Sequence, residues 1–512
     1  MPRPNRPSPC RAALLRAAML CAAMLGSTAV AAQGDAQGRV PAWTGPLRPT
    51  AASPIFAPPV LPGSAEDIAM RRAGYVQQEY LLSGQANIYA QRDDGSIAVR
   101  ARDIAYTTRL IIIRPRDARR FNGIVQLGFT HPQLASTQWG RINTHILRTG
   151  SAYAVLVIGG DAGTRQRSTA QWPVATPLVL PWADPARYAA FHWPQDDGIR
   201  WDVIAQAAQM LRQSAPNGPL AGRPVRRIYM SGWSFLGSTI RSWINYGFHD
   251  RYRRADGGPL IDGYLIGISA GAVRAGRVPI NSTDPEADHV RDPLAMIDSP
   301  VIELTSEMEA ITNIYPQRAE SDDARGGYRI YELGGVSHGD SGVAGSMRPS
   351  TLQLLARNHP AAERPITCTV PDTDVPMRDI AQAALVNLDR WVTTGQAPPR
   401  AERLRVAADG RDYVRDAFGN PVGGVRAAQL DVPLVRYAEP PAALCGGNVP
   451  RRNLHQLPVD PALIAARYPR GAISYRAQFN AALDQLVRDH WLVPGQTIIG
   501  IERDGMIQFG EG

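Results

Sequence analysis

A chain of 512 residues, 44% hydrophobic and 20% charged, has a globular composition and is long enough for one very large domain or two to three ordinary ones, which excludes wholesale disorder. All 55 basic residues are arginine, so chemistry that needs a Schiff-base, pyridoxal-phosphate or phosphate-loop lysine is excluded. The formal charge of +9 falls to +5 once residues 1–31 are set aside, because they hold Arg3, Arg6, Arg11 and Arg16 and no acid; without basic clusters, that leaves no footprint for nucleic acid.

Those first 31 residues read as a secretory signal peptide. An apolar run from Ala17 to Leu25 is too short to span a bilayer, and Ala29-Val30-Ala31 supplies small residues at a cleavage position. Cys21 follows Leu20, where a lipid-attachment site needs a small residue, and no long apolar span occurs later. The expectation is an exported protein, periplasmic or secreted, without a membrane span. Residues 32–73, rich in Pro, Gly, Ala and Ser, read as an extended amino-terminal arm. Residues 74–400 read as the core. Tyr80-Leu81-Leu82 and Ile88-Tyr89-Ala90 around Gly84, then Arg109 to Ile113, predict an antiparallel start. Ile124 to Leu127, Tyr153 to Ile158, Arg227 to Met230, Gly263 to Ile268, Val301 to Leu304 and Tyr328 to Leu333 predict buried strands, with helical spacing between them as in Trp201 to Leu211. This alternation predicts an α/β fold with a mostly parallel central sheet covered by helices on both faces. Helices are predicted over Ala381–Trp391, stopped at Gly395, and Tyr475–His490; residues 401–512 read as an extension wrapped on the core. Cys10 and Cys21 leave with the leader, and Cys368 and Cys445 are expected to pair in an oxidising compartment. No CxxC or HExxH occurs and the nine histidines are scattered, so neither a metal nor a cofactor is expected.

The sharpest chemical signal is Arg227-Ile228-Tyr229-Met230-Ser231-Gly232-Trp233-Ser234-Phe235-Leu236-Gly237, an apolar strand, a Gly-x-Ser turn and a helical pattern with Leu236, Ile240, Trp243 and Ile244 on one face. A sharp strand-to-helix turn lifts a serine hydroxyl above the strand ends and aims a helix amino terminus at the reacting oxygen, which marks Ser234 as a nucleophile. As an alternative, Ser234 simply caps the helix. The base for such a serine is His338, in the glycine-rich loop after a strand, Leu333-Gly334-Gly335-Val336-Ser337-His338-Gly339-Asp340; His289, His359, His455 and His490 have poorer settings. The orienting acid is Glu309 or Glu307, both just past the strand that begins at Val301, whereas Glu303 is mid-strand. The oxyanion donors are the Phe235 N–H and, from the end of an early strand, the N–H of Phe129 or Thr130. His131, beside them, reads as a loop histidine.

With these residues in place the chain resembles the bacterial alpha/beta-hydrolase-domain proteins over nearly all its length beyond the leader. The resemblance is carried by Tyr80-Leu81-Leu82-Ser83-Gly84-Gln85-Ala86, Phe121-Asn122-Gly123, Asp184-Pro185-Ala186-Arg187-Tyr188, the Trp201-to-Ala207 stretch, the Ser234 turn and the His338 loop. Leu388-Asp389-Arg390-Trp391-Val392 and Asp416 to Arg426 continue it. It implies an alpha/beta-hydrolase fold and ester hydrolysis. The sequence departs from the family pattern where Ser234-Phe235-Leu236-Gly237 replaces Ser-Gln-Ser-Gly, and where Gln126-Leu127-Gly128-Phe129 replaces an acidic and polar stretch, which predicts a more apolar pocket floor. The combined expectation is an exported serine hydrolase, a carboxylesterase acting on a small or medium apolar ester as its small-molecule partner. The rival readings are a catalytically silent hydrolase fold used for binding, or an acyltransferase with the same triad.

Overall fold

The computed structural model describes residues 39–269, 278–283, 293–310, 318–323, 325–338, 344–362, 368–447 and 453–495; the predicted leader, His289, Gly339 and Asp340 lie outside them. Nine strands form one sheet: β1 (Ala42–Thr44), β2 (Tyr75–Gln91), β3 (Ile97–Pro115), β4 (Ile124–Thr130), β5 (Ala152–Val157), β6 (Arg227–Trp233), β7 (Gly263–Gly267), β8 (Val301–Ser306) and β9 (Tyr328–Leu333). Their spatial order is β1-β2-β3-β5-β4-β6-β7-β8-β9. The first three strands and the β3–β5 contact are antiparallel, and every pairing from β5 through β9 is parallel. The order reverses at β4, so the chain crosses from β4 outward to β5 and returns to lay β6 on the other side of β4. That is the kind of switch point where open α/β sheets leave a crevice beyond the carboxyl ends of their strands.

The near-continuous apolar strands are buried on both faces. Ile228 and Met230 of β6 turn toward a cluster that holds Trp201, Ile204, Ala208, Ile240 and Trp243 from the helices Arg200–Gln213 and Phe235–Asn245. Tyr229, between them, points the other way, with Trp139, Ile142 and Ile146 of the helix Trp139–Thr149 and Ile380, Leu385 and Leu388 of the helix Met377–Thr394. The two-residue alternation of the strand and the 3.6-residue spacing of the helices therefore build a three-layer core. At the far edge, Tyr328 exchanges both backbone hydrogen bonds with Ser321. Farther along the same edge the Ile330 N–H donates to the Glu320 carboxylate at 3.0 Å and the Glu332 carbonyl accepts from the Val425 N–H at 2.7 Å.

The amino-terminal arm is not extended throughout, as the composition suggested. Residues 42–44 pair with β2, and Ala65–Arg72 is a helix because Ser64 caps it, accepting from the Asp67 N–H, with Glu66 and Asp67 in the first turn. Arg187 ties the arm down by donating to the Leu47 and Ser53 carbonyls while pairing with the fully buried Glu79 of β2. The carboxyl-terminal region packs on the core, with Val425, Leu430, Tyr437 and Leu492 inside one of its two main clusters. Cys368 and Cys445 form a disulfide between segments 77 residues apart in sequence. Among the described residues no helix is long and apolar enough to cross a membrane.

Candidate active site

The turn between β6 and the helix Phe235–Asn245 holds Ser234 at φ 55° and ψ −126°, a backbone conformation that costs a non-glycine residue about 1–3 kcal/mol and is kept only where the surroundings enforce it. They do so by close approach. A Cβ on Gly232 would lie 2.5 Å from the Leu236 carbonyl oxygen, and one on Gly237 would lie 2.8 Å from that of Gly267 in β7. The Ser234 N–H donates to the Gly267 carbonyl at 3.0 Å, anchoring the turn to the neighbouring strand. The helix ladder begins with the Ser238 N–H on the Ser234 carbonyl at 3.0 Å, so the Phe235 N–H lies before its first rung. Ser234 occupies the capping position, but no side-chain capping hydrogen bond is made. Leu236 fits despite its bulk: it is buried with Ile240 and Met230 in the core.

On the neighbouring loop, His338 follows β9 and its Nδ1 hydrogen-bonds to Oε1 of Glu309. The other oxygen of that carboxylate accepts from Ser306 Oγ, the last residue of β8, at 2.5 Å. Glu309 is 1% exposed, so the sequence alternatives separate here. Glu307 does not meet the histidine. Its buried carboxylate accepts from the Gly335 N–H at 2.7 Å and pairs with Arg415 at 3.2 Å, and burial raises its pKa above the usual carboxylate range. The residues carrying both acids begin a helical turn, Glu307–Ala310, and two positions along a helix differ by about 200°, which sends the side chains to opposite sides. Glu307 thus holds the histidine loop. Thr373 Oγ1 donates to the Gly335 carbonyl at 2.7 Å and the Leu454 N–H donates to Ser337 Oγ at 2.6 Å, so the segment before the helix Met377–Thr394 and the carboxyl-terminal region both buttress the same loop. Glu303 is a buried partner of Arg241 and Tyr328.

Ser234 and His338 line one cavity of about 270 Å³. Its walls come from the loop after β4 (His131, Gln133, Leu134), from Ser136, Thr137, Gln138 and Arg141 around the start of the helix Trp139–Thr149, from Trp233 and Leu236, and from Ser350 and Thr351 of the helix Ala344–Leu355. His131 thus joins the site, its ring 6.0 Å from that of Phe235; desolvation there holds its imidazole below the ordinary histidine pKa. Phe129 and Thr130 do not join it. β4 runs on through both, in register with Leu156 and Val157 of β5, and the side chains that reach the cavity from this segment begin at His131.

The lining combines polar and apolar side chains. Gly128 leaves room for the Gln138 carboxamide, whose Nε2 would sit 2.7 Å from a Cβ there and instead donates to the Ser231 carbonyl at 2.5 Å. Polar side chains therefore form one wall, and Leu134, Trp233 and Leu236 supply the apolar share. Sequence reasoning passed over Arg141, whose guanidinium carbon lies 5.3 Å from the centre of the Trp233 ring. Elsewhere, His249, Asp250 and Asp298 bring potential metal-ligating atoms within 4.8 Å of one another, but His249 bonds to Tyr264 and Asp298, and Arg253 pairs with Asp298. That cluster is an ion-pair network.

Residues 43–497 match the family described as "Alpha/beta hydrolase domain". Comparison with curated proteins finds no match. Among solved structures the chain is similar to brefeldin A esterase, a bacterial homologue of human hormone sensitive lipase, at 12% identity, with 50% of this chain and 74% of that one covered and a TM-score of 0.23. It is similar to esterase Est22 at 14% identity, covering 48% of this chain and 73% of that one, with a TM-score of 0.24. It is also similar to the rice cell wall degrading esterase LipA from Xanthomonas oryzae at 12% identity, covering 41% of this chain and 48% of that one, with a TM-score of 0.22.

Proposed function

The chain belongs to the alpha/beta hydrolase domain family, and from that premise we propose that it is an exported serine hydrolase that cleaves a carboxylic ester through an acyl-enzyme. The observation that carries the reading is the convergence of Ser234, on its constrained turn, and His338, bonded through Nδ1 to the buried Glu309, on one cavity. With Nδ1 donating to the carboxylate, Nε2 is the acceptor and takes the Ser234 proton as Oγ attacks the ester carbonyl. The Phe235 N–H stabilises the oxyanion at the head of its helix. The imidazolium then protonates the departing alkoxide, and water, deprotonated by the same nitrogen, releases the acid and frees the serine. Leu134, Trp233 and Leu236 offer an apolar surface for the carbon chain of a small ester. The disulfide and the basic, apolar amino terminus support an oxidising, extracytoplasmic setting.

A fluorophosphonate probe tests the reading. Covalent labelling is expected on Ser234 and is expected to vanish in Ser234→Ala, with ester turnover lower by several orders of magnitude and an unchanged melting temperature. Labelling that persists in Ser234→Ala would assign the nucleophile elsewhere.

A further inference from the structure

A second imidazole, that of His131, lines the cavity with Ser234 and His338. β4 and β6 run parallel with Leu127 paired to Met230, and four residues farther along each chain His131 comes level with Ser234. From this point of the loop the backbone donors are already spent. The His131 N–H donates to the Ser136 carbonyl at 2.7 Å, and Pro132 has no N–H. The Gln133 N–H donates to His131 Nδ1 at 3.1 Å, the Leu134 N–H to the Val174 carbonyl at 3.0 Å and the Ala135 N–H to Thr176 Oγ1 at 3.1 Å. Of the side chains that this stretch gives to the cavity, those of His131 and Gln133 hold N–H donors, and His131 is the one level with the serine.

A neutral imidazole donates only from the nitrogen that carries its hydrogen, and the bond made by the other nitrogen decides which one that is. Here Nδ1 accepts from the Gln133 N–H. The Gln133 carbonyl is farther from Nδ1, at 3.4 Å, and a hydrogen placed on Nδ1 to reach it would be set against that same N–H, so the shorter contact fixes the tautomer. Desolvation holds the ring below the ordinary histidine pKa, which leaves it one hydrogen, on Nε2. Both ring contacts are made at Nδ1, and none among the described residues is made at Nε2. The ring is also firmly placed. The His131 carbonyl accepts from Thr176 Oγ1 at 2.6 Å, and the imidazole meets the ring of Phe235, whose N–H heads the helix after Ser234. Leu134 and Ala135 hold left-handed backbone angles, φ 54° and 56°, which non-glycine residues keep only where the surroundings enforce them.

We propose that His131 is a catalytic residue whose Nε2–H donates to the oxyanion formed as Ser234 attacks, alongside the Phe235 N–H; this rests on the serine-hydrolase reading above. His131 keeps its proton throughout, while His338 takes the proton of Ser234, so the two imidazoles divide the roles of donor and base. A neutral donor suits the place, because it stabilises the developing negative charge without setting a second cation beside the His338 imidazolium.

The experiment begins with His131→Leu, which removes the donor and keeps an apolar side chain. With 4-nitrophenyl butyrate, kcat is expected to fall by about 10²- to 10³-fold while KM stays within about threefold. His131→Gln, whose amide nitrogen reaches toward the place of Nε2, is expected to recover part of the loss. A trifluoromethyl ketone separates catalysis from a merely structural role. Ser234 Oγ adds to its carbonyl carbon, the serine proton passes to His338 and the carbonyl oxygen becomes a bound oxyanion, so His131→Leu should weaken this inhibitor by a factor similar to the loss in kcat/KM. A measurement on the wild-type protein accompanies these: in the structure of the ketone adduct the oxyanion is expected about 2.7–3.1 Å from His131 Nε2, and a separation above about 4 Å overturns the inference without any variant. If Ser234 takes the fluorophosphonate and the ester is cleaved, but His131→Leu keeps kcat within about threefold or loses activity without weakening the ketone, the inference fails while the hydrolase reading stands. If the wild-type protein takes no probe and cleaves no ester, both fail together.

Discussion

Replacing Glu309 with glutamine keeps the shape of the side chain and changes which proton sits where. The buried carboxylate bonds His338 Nδ1 and Ser306 Oγ, the latter donating at 2.5 Å. In the glutamine variant the amide oxygen keeps the Ser306 hydroxyl, because turning the amide round would leave that buried donor without an acceptor at about 1–3 kcal/mol. The amide NH2 group then faces Nδ1 and forces it to accept, which moves the ring proton to Nε2, the nitrogen that must accept from Ser234. The variant also loses the negative charge beside the imidazolium that forms during attack. Two unit charges in hydrogen-bond contact attract by about 5 kcal/mol at an effective dielectric near 20. Since about 1.4 kcal/mol is tenfold in rate, kcat is expected to fall by about 10⁴-fold. The assay is 4-nitrophenyl ester hydrolysis at saturating substrate, with thermal unfolding to show that the fold is intact. Glu307→Gln is the comparison: glutamine can still accept from the Gly335 N–H, so its kcat should fall by about tenfold or less. A Glu309→Gln enzyme within tenfold of wild type, or a Glu307→Gln enzyme equally impaired, would refute the assignment of the acid.

Other consequences are open to measurement. Gly232→Ala places a methyl group 2.5 Å from a backbone carbonyl that cannot move without deforming the turn, so stability should fall by about 3 kcal/mol in chemical denaturation and probe labelling of Ser234 should slow; an unchanged midpoint would show that the turn can yield. The Cys368–Cys445 bridge spans 77 residues, and on the chain-entropy model its removal by a double serine substitution should lower unfolding free energy by about 4 kcal/mol, read from denaturant curves with and without reductant. His145 is buried and its pKa is pushed down to about 4 from 6.5, so the unfolded chain takes up a proton that the folded one refuses. Its contribution is therefore fully present above pH 6.5 and lost as pH falls toward 4, amounting to about 3 kcal/mol. His145→Asn should flatten the decline of stability across that window, even though His131 and His249, also held low by desolvation, contribute the same sign; identical pH slopes would count against it.

Much of the site is legible in sequence because its key turn is local. Gly232, Ser234 and Gly237 lie within six residues, and the strand before them and the helix after them each carry their own period. The choice between Glu307 and Glu309 was not legible. Two acids two positions apart share a face if the strand continues and oppose each other if a helix starts, and the break at Ser306 decides between these only through tertiary contacts. Phe129 and Thr130 lie within β4, which extends as far as β5 can pair with it, so the loop that lines the cavity begins at His131. Local signals exist for two elements that strand-first reasoning passed over. Ser64 and Asp67 make a capping pattern at the start of Ala65–Arg72, and Trp139, Ile142 and Ile146 fall on one helical face. Arg141 carries no such signal. It stands off the apolar face, and only the placing of its helix beside β6 brings it to the cavity.

The treatment of β9 bears on how copies of this protein can meet. An outermost strand with unclaimed amides and carbonyls is a template on which a second molecule can continue the ladder, and a broad sheet makes that growth open-ended. Here the N–H and carbonyl of Tyr328, the N–H of Ile330 and the carbonyl of Glu332 are already taken by Ser321, by the carboxylate of Glu320 and by Val425, three attachments from two different parts of the chain. Peeling them away would have to precede any intermolecular zipper, so association between copies is steered toward side-chain surfaces.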